Sequence, residues 1–166
     1  MRTYLVVANQ TLPGAELREA IRRRLEAGPS SFHVLVPNTR PRDLGGDVGK
    51  GWIGPVGEPY GWVGPRDGVE GGPTVRRTRA KGAAAHAQHR LGQLLGDLRR
   101  LGVDADGELG DADPLKAVGA VLKHCQVDEI LLSTLPKPMS RWLAMDLPHR
   151  LQRRFGLPVT TVTTKR

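Results

Sequence analysis

The sequence predicts an α/β protein with one five-stranded open parallel sheet and four helices covering both faces. Three observations predict it. Short β-branched and apolar runs alternate with stretches of helical period, the pattern of βαβ units. Several of these runs, such as VLV and ILL, are apolar without alternation, as expected of strands covered on both sides. Stop and start residues fall between the elements, and right-handed crossovers turn that order into a parallel sheet.

Residues 3–8, TYLVVA, are the first strand. In PGAELREAIRRRLEAG the residues Leu17, Ala20, Ile21 and Leu25 make one helical stripe, and Gly28 sits just past its end. SFHVLVP, 31–37, is the second strand, closed by Pro37. From Asn38 to about Gly82 no period is sustained, and glycine, proline and scattered charge dominate. A loop of that length is uncommon in a compact domain. Residues 38–82 therefore read as an insertion within a single domain spanning 1–166. Helical period resumes in AAAHAQHRLGQLLGDLRRLG, with Leu91, Leu94, Leu95 and Leu98 on one side. VDADGEL, 103–109, is the third strand. DPLKAVGAVLKHCQ is a helix with Asp113 as its N-cap and Pro114 at its first position. VDEILLS, 127–133, is the fourth strand. DLPHRLQRRFG is a helix whose N-cap reads as Asp146, and LPVTTVT, 157–163, is the last strand.

A chain of 166 residues is long enough to bury a real core. No apolar run reaches the length of a membrane span, and the N-terminal run is too short for a signal-peptide core. The lone Cys125 excludes an internal disulfide framework and fits a reducing cytoplasm, which is the expected location. Net charge is +8, with arginine clusters at 22–24, at 76–79 and at 150–154. Only six of the 25 basic residues are lysines, a bias that GC-rich coding explains as well as a binding surface does. No zinc-finger, RRM or KH signature accompanies the charge, so neither nucleic acid nor membrane is an expected partner.

In open parallel sheets ligands bind beyond the carboxyl ends of the strands, where the strand order reverses. The residues there are Ala8, Asn9, Gln10 and Thr11 after the first strand, and Val36, Pro37 and Asn38 at the end of the second. Gly110 and Asp111 follow the third, and Ser133, Thr134 and Pro136 close the fourth.

The order of elements, the segment ELGDADPLKAV and the ending DEILLSTLPKPMSRWLAMDLPHRLQRRFGLPVTTV resemble the universal stress proteins. These are small α/β domains of the adenine-nucleotide α-hydrolase-like superfamily. The resemblance covers nearly everything but the insertion and looks closest to a divergent actinobacterial subgroup. It implies a Rossmann-like three-layer sandwich with strand order 3-2-1-4-5, and homodimers paired through the last strand. It also implies an ATP site built on a glycine-rich loop after the fourth strand, Gly, two residues, Gly, nine residues, then Gly-Ser or Gly-Thr. This chain departs from that pattern at every glycine. Ser133 or Thr134 stands near the first, Pro136 or Lys137 near the second, and Asp146-Leu147 near the last pair. The acidic residue that contacts adenine after the first strand is matched at best by Asn9.

Asp146 as N-cap would occupy the N–H groups that a helix start offers to phosphate, and its charge would repel one. Pro148 removes a further N–H, and Pro136 and Pro138 stiffen the loop. The expectation is a non-enzymatic binding or regulatory module that has lost the ATP site and needs no cofactor. The alternative is a nucleotide switch or weak ATPase that holds ATP or AMP with Lys137, Arg141 and a rebuilt loop at 133–149.

The remaining constellations read blandly. His86 and His89 form H-x-x-H without a third ligand nearby, so no metal site is expected. Ser133-Thr134 lacks a nucleophile elbow, so no catalytic residue is expected. Asp104, Asp106, Glu108, Asp111 and Asp113 alternate as on a solvated sheet edge, without EF-hand spacing. Trp142 is expected to pack the last loop against the core. GWIGP at 51–55 returns as GWVGP at 61–65, which makes Trp52, Tyr60 and Trp62 candidate anchors for a protein partner.

Overall fold

The computed structural model describes residues 1–8, 14–38, 73–136 and 140–164, with the backbone alone at 73–81 and 83. In chain order the elements are β1 (Arg2–Ala8), α1 (Ala15–Ala27), β2 (Ser30–Pro37), α2 (Pro73–Arg100) and β3 (Ala105–Gly110). They continue with α3 (Pro114–Val121), β4 (Glu129–Thr134), α4 (Arg141–Ala144), α5 (Leu147–Phe155) and β5 (Val159–Thr163). The strands form one sheet in the order β3-β2-β1-β4-β5, with every neighbouring pair parallel. This is the fold class and strand order that the sequence predicts.

The period-two rule of a strand divides the core into two layers. Tyr4, Val6 and Ala8 of β1 and Phe32, Val34 and Val36 of β2 face Leu17 and Ile21 of α1 and Leu91, Leu94 and Leu98 of α2. The Tyr4 and Phe32 rings stack there with centroids 5.2 Å apart. Leu5 and Val7 of β1, Leu35 of β2, and Ile130 and Leu132 of β4 point the other way, against α3, α4 and α5. Each fully buried aliphatic side chain contributes about 1.5–3 kcal/mol. The central strands carry such residues on both faces, so the sheet is stable only when both are covered. Trp142 joins the second layer at 5% exposure, which pins the segment after β4 to the core as expected.

The structure differs from the sequence reading in four places. α3 ends at Val121 and is followed by a turn at 122–124, whereas the sequence reading carries the helix to Gln126. α2 begins at Pro73, so the irregular stretch ends about ten residues before Gly82. The added residues, PTVRRTRAKG, contain good helix formers but no apolar stripe, and periodicity cannot detect a helix without one. A one-turn helix, α4, precedes α5. Its N-cap is Ser140, whose Oγ accepts from the Leu143 N–H. Finally, Asp146 precedes α5 as expected but does not cap it with its side chain. Its backbone is left-handed at φ 54°, ψ 37°, instead of the extended conformation from which an N-cap side chain reaches the first turn.

Candidate functional site

The strand register assembles the expected rim. Ala8 pairs with Ser133 and Pro37 with Gly110, so the ends of β1, β2, β3 and β4 lie side by side along the carboxyl edge of the sheet. Ala8 and Val36 are buried at 2% and 1% exposure, so their side chains belong to the core layer. Gly110 lies under α3, where an added Cβ would stand 2.6 Å from the Ala117 Cβ and 2.7 Å from Leu35 Cδ1. The missing side chain serves helix packing. Asp111 is exposed, and its carboxylate accepts the Asp113 N–H at 2.8 Å. Asp113 in turn accepts the Leu115 N–H at 2.9 Å, the cap expected for α3. Asn9, Gln10, Lys137, Trp52, Tyr60 and Trp62 lie outside the described residues.

The two described ends of the loop after β4 are bonded to each other. Ser133, Thr134 and Ser140 are buried at 0%, 3% and 6% exposure. The Thr134 and Ser140 hydroxyl oxygens lie 2.5 Å apart, and Ser140 Oγ also accepts the Leu143 N–H at 3.3 Å. The Ser140 N–H donates to the Pro136 carbonyl at 3.0 Å, and the Thr164 N–H to the Thr134 carbonyl at 3.0 Å. The hydroxyls tie β4 to α4, and the backbone bond from Thr164 ties the end of β5 to β4. At the head of α5 the Asp146 carboxylate meets Nδ1 of His149 at 2.5 Å, both side chains being exposed. Pro148 occupies the first turn of that helix. Arg141 is exposed at the first position of α4.

The opposite, amino-terminal end of the sheet holds a cluster that the sequence reading did not identify. His33 of β2 sits beside Asp106 of the edge strand β3, its registered partner. Its Nδ1 lies 2.7 Å from the Asp106 carboxylate. Its Nε2 points toward Glu108 at 3.7 Å, beyond hydrogen-bond range, and is a buried polar atom without a partner. His124, in the turn after α3, brings its Nε2 to 3.3 Å from the same Glu108 oxygen. The His33 and His124 rings meet edge to face with centroids 6.3 Å apart. α3 has eight residues, about 12 Å of helix, and its Ala117 packs over Gly110 at the carboxyl end of β3. Beside the cluster lies a cleft of about 390 Å³, lined by Thr3, Ser31, His33, Asp106, His124 and Cys125 among others. Burial, with the nearby charges of Asp106 and Glu108, pushes the Cys125 thiol up, so it stays protonated.

The sequence contained one signal for this cluster: a histidine between Phe32 and Val34 in a strand otherwise apolar to its end. Nothing local links it to His124. The carboxylates alternating along β3 are solvated as expected at Asp104 and Asp106, but Glu108 is half-buried beside the two rings. His86 and His89 are both exposed on α2.

No protein-family model matches the chain. No curated protein matches it either. Among solved structures, the fold is similar to a protein from the universal stress protein family of Burkholderia pseudomallei. The TM-score is 0.51 at 12% identity, over 98% of this chain and 96% of that one. A universal stress protein from Archaeoglobus fulgidus aligns with TM-score 0.45 and 13% identity, over 98% and 94% of the two chains. At such identities the likeness is one of fold. No helix among the described residues is long and apolar enough to cross a membrane.

Proposed function

We propose that this chain is a non-enzymatic, universal-stress-protein-like binding or regulatory module of the cytoplasm whose crevice no longer takes ATP. The divergent actinobacterial subgroup that the sequence resembles fits this reading. The observation that supports it is the buried bond between Thr134 and Ser140. A phosphate loop must present backbone N–H and hydroxyl groups to the ligand. Here Thr134, at the end of β4, and Ser140, before α4, are buried and bonded to each other.

The like charge of Asp146 at the head of α5, paired with His149, supports the same reading. Its capping role does not, since that cap is not made. Partner binding is then the remaining role. The outer edge of β5, with Thr160 and Thr161 exposed, is where a second copy would pair, and Trp52, Tyr60 and Trp62 would anchor a different protein.

Thermal unfolding with and without millimolar ATP, AMP or cyclic AMP tests the proposal. A ligand at a hundred times its dissociation constant stabilises by about 2.7 kcal/mol, roughly 5–10 °C for a chain this size. A flat result with all three nucleotides is expected. A shift of that size would instead establish the nucleotide switch, with Arg141 and Lys137 as the residues to replace next.

A further inference from the structure

We propose that His33, Glu108 and His124 form a binding site for a divalent transition-metal ion, zinc by preference. The site lies at the amino end of the sheet, away from the crevice, and does not depend on the reading of that crevice. The three ligand atoms, one from each residue, lie within 4.8 Å of one another.

The electrostatics of His33 lead to a cation. Its Nδ1 is engaged by the Asp106 carboxylate at 2.7 Å, which places the ring proton on that nitrogen. Nε2 then carries a lone pair, in a side chain only 12% exposed, and aims it at the Glu108 carboxylate without a hydrogen bond. Two acceptors facing each other at 3.7 Å repel unless a cation lies between them. His124 directs a second imidazole nitrogen at the same carboxylate oxygen. A carboxylate orienting the far nitrogen of a ligating histidine is the usual outer partner of a zinc site.

The spacing suits such an ion. Zinc bonds of about 2.0–2.2 Å in tetrahedral geometry put ligand atoms about 3.3 Å apart. The His124–Glu108 separation is 3.3 Å, and that of His33–Glu108 is 3.7 Å. The remaining gap, between the two histidines, closes by rotation of the His124 ring, whose side chain is 55% exposed in a turn. Two imidazoles and one carboxylate suit zinc, whereas magnesium and calcium take oxygen ligands. His33 and His124 also line the cleft, which gives room for the water or small ligand that three-ligand zinc sites keep in their fourth position.

Untagged protein stripped with chelator and titrated calorimetrically with Zn²⁺, and with Co²⁺ as a spectroscopic probe, tests the site. One ion per chain is expected, together with a rise in melting temperature. His124→Ala and Glu108→Gln should each weaken binding at least tenfold, and Asp106→Asn about tenfold through loss of ring orientation. His124 is exposed, so His124→Ala should melt like the wild type without metal, and it carries the test if Glu108→Gln folds poorly. Two outcomes would overturn the site. One is no binding of either ion by the wild type. The other is binding unchanged in His124→Ala, which would place the ion elsewhere, such as at His86 and His89.

Discussion

The Asp146 carboxylate lies 2.5 Å from Nδ1 of His149, three residues into the helix that Asp146 introduces. Asp146 is also the one non-glycine residue with a left-handed backbone among those described. The two facts are connected. At φ 54° the side chain is carried away from the first-turn N–H groups toward the histidine, while the Asp146 carbonyl still accepts the Arg150 N–H at 3.1 Å. The position that resembles the family's final glycine thus keeps a backbone that favours glycine, although its side chain has changed.

Replacing Asp146 by glycine should therefore leave stability unchanged or raise it by up to about 1 kcal/mol, since glycine adopts this conformation without steric cost. Asp146→Val should lose about 1–2 kcal/mol, because a β-branched residue is strained there. Urea denaturation of the two variants reads the difference. A loss in the glycine variant as large as that in the valine variant would show that the His149 contact outweighs the backbone term.

Ser140 caps α4 and bonds Thr134 in a buried place. Ser140→Ala should cost about 1–3 kcal/mol, combining a lost cap with an unpaired buried hydroxyl on Thr134. Adding Thr134→Val should cost less than it does alone, because the pair is then removed together. Thermal melts of the single and double variants measure this coupling, and strictly additive losses would contradict it.

Gly110→Ala should destabilise by about 1–3 kcal/mol, since the new methyl would meet Ala117 and Leu35 well inside contact distance. Were the glycine present only to let a ligand approach, its replacement would leave the melting temperature unchanged.

Glu129 at the start of β4 accepts from the Arg24 guanidinium of α1, which also lies over the Tyr4 ring at 5.5 Å from its centroid. It accepts from Thr160 of β5 at 2.7 Å as well. Burial acts to raise this carboxyl, but the bonds from Arg24 and Thr160 and the charges of Arg24 and Arg2 outweigh it. The net effect holds the carboxyl below its ordinary 4.5. A depressed carboxyl stabilises the fold above its unfolded value and loses that stabilisation as pH falls through its folded value. Wild type should thus exceed Glu129→Gln by about 1–2 kcal/mol at neutral pH. The margin should shrink steadily as pH falls below 4.5. A margin independent of pH between 7 and 3, on a scale where one pKa unit is about 1.4 kcal/mol, would remove the charge from the account.

The sequence by itself determined the five strands, their order through the family resemblance, and the main helices. Each of these rests on local information: apolar runs of strand length, stripes at helical spacing, and stops at Gly28 and Pro37. The Asp113 cap was legible for the same reason, because a cap is made within a few residues. The start of α2 was not, since its first turns carry arginine and alanine without an apolar stripe. What only the tertiary structure decided is how side chains distant in sequence meet. The left-handed turn at Asp146 follows from where α4 and α5 must dock on β4 and β5, and local preference for a capping aspartate does not reveal it. Glu108 lies far along the chain from His33. Parallel pairing of β2 with β3, and the early end of α3 at Val121, bring His33, Glu108 and His124 to one point. Burial then strips water from the Nε2 of His33 and leaves it facing a carboxylate, a condition that exists only once the sheet has formed.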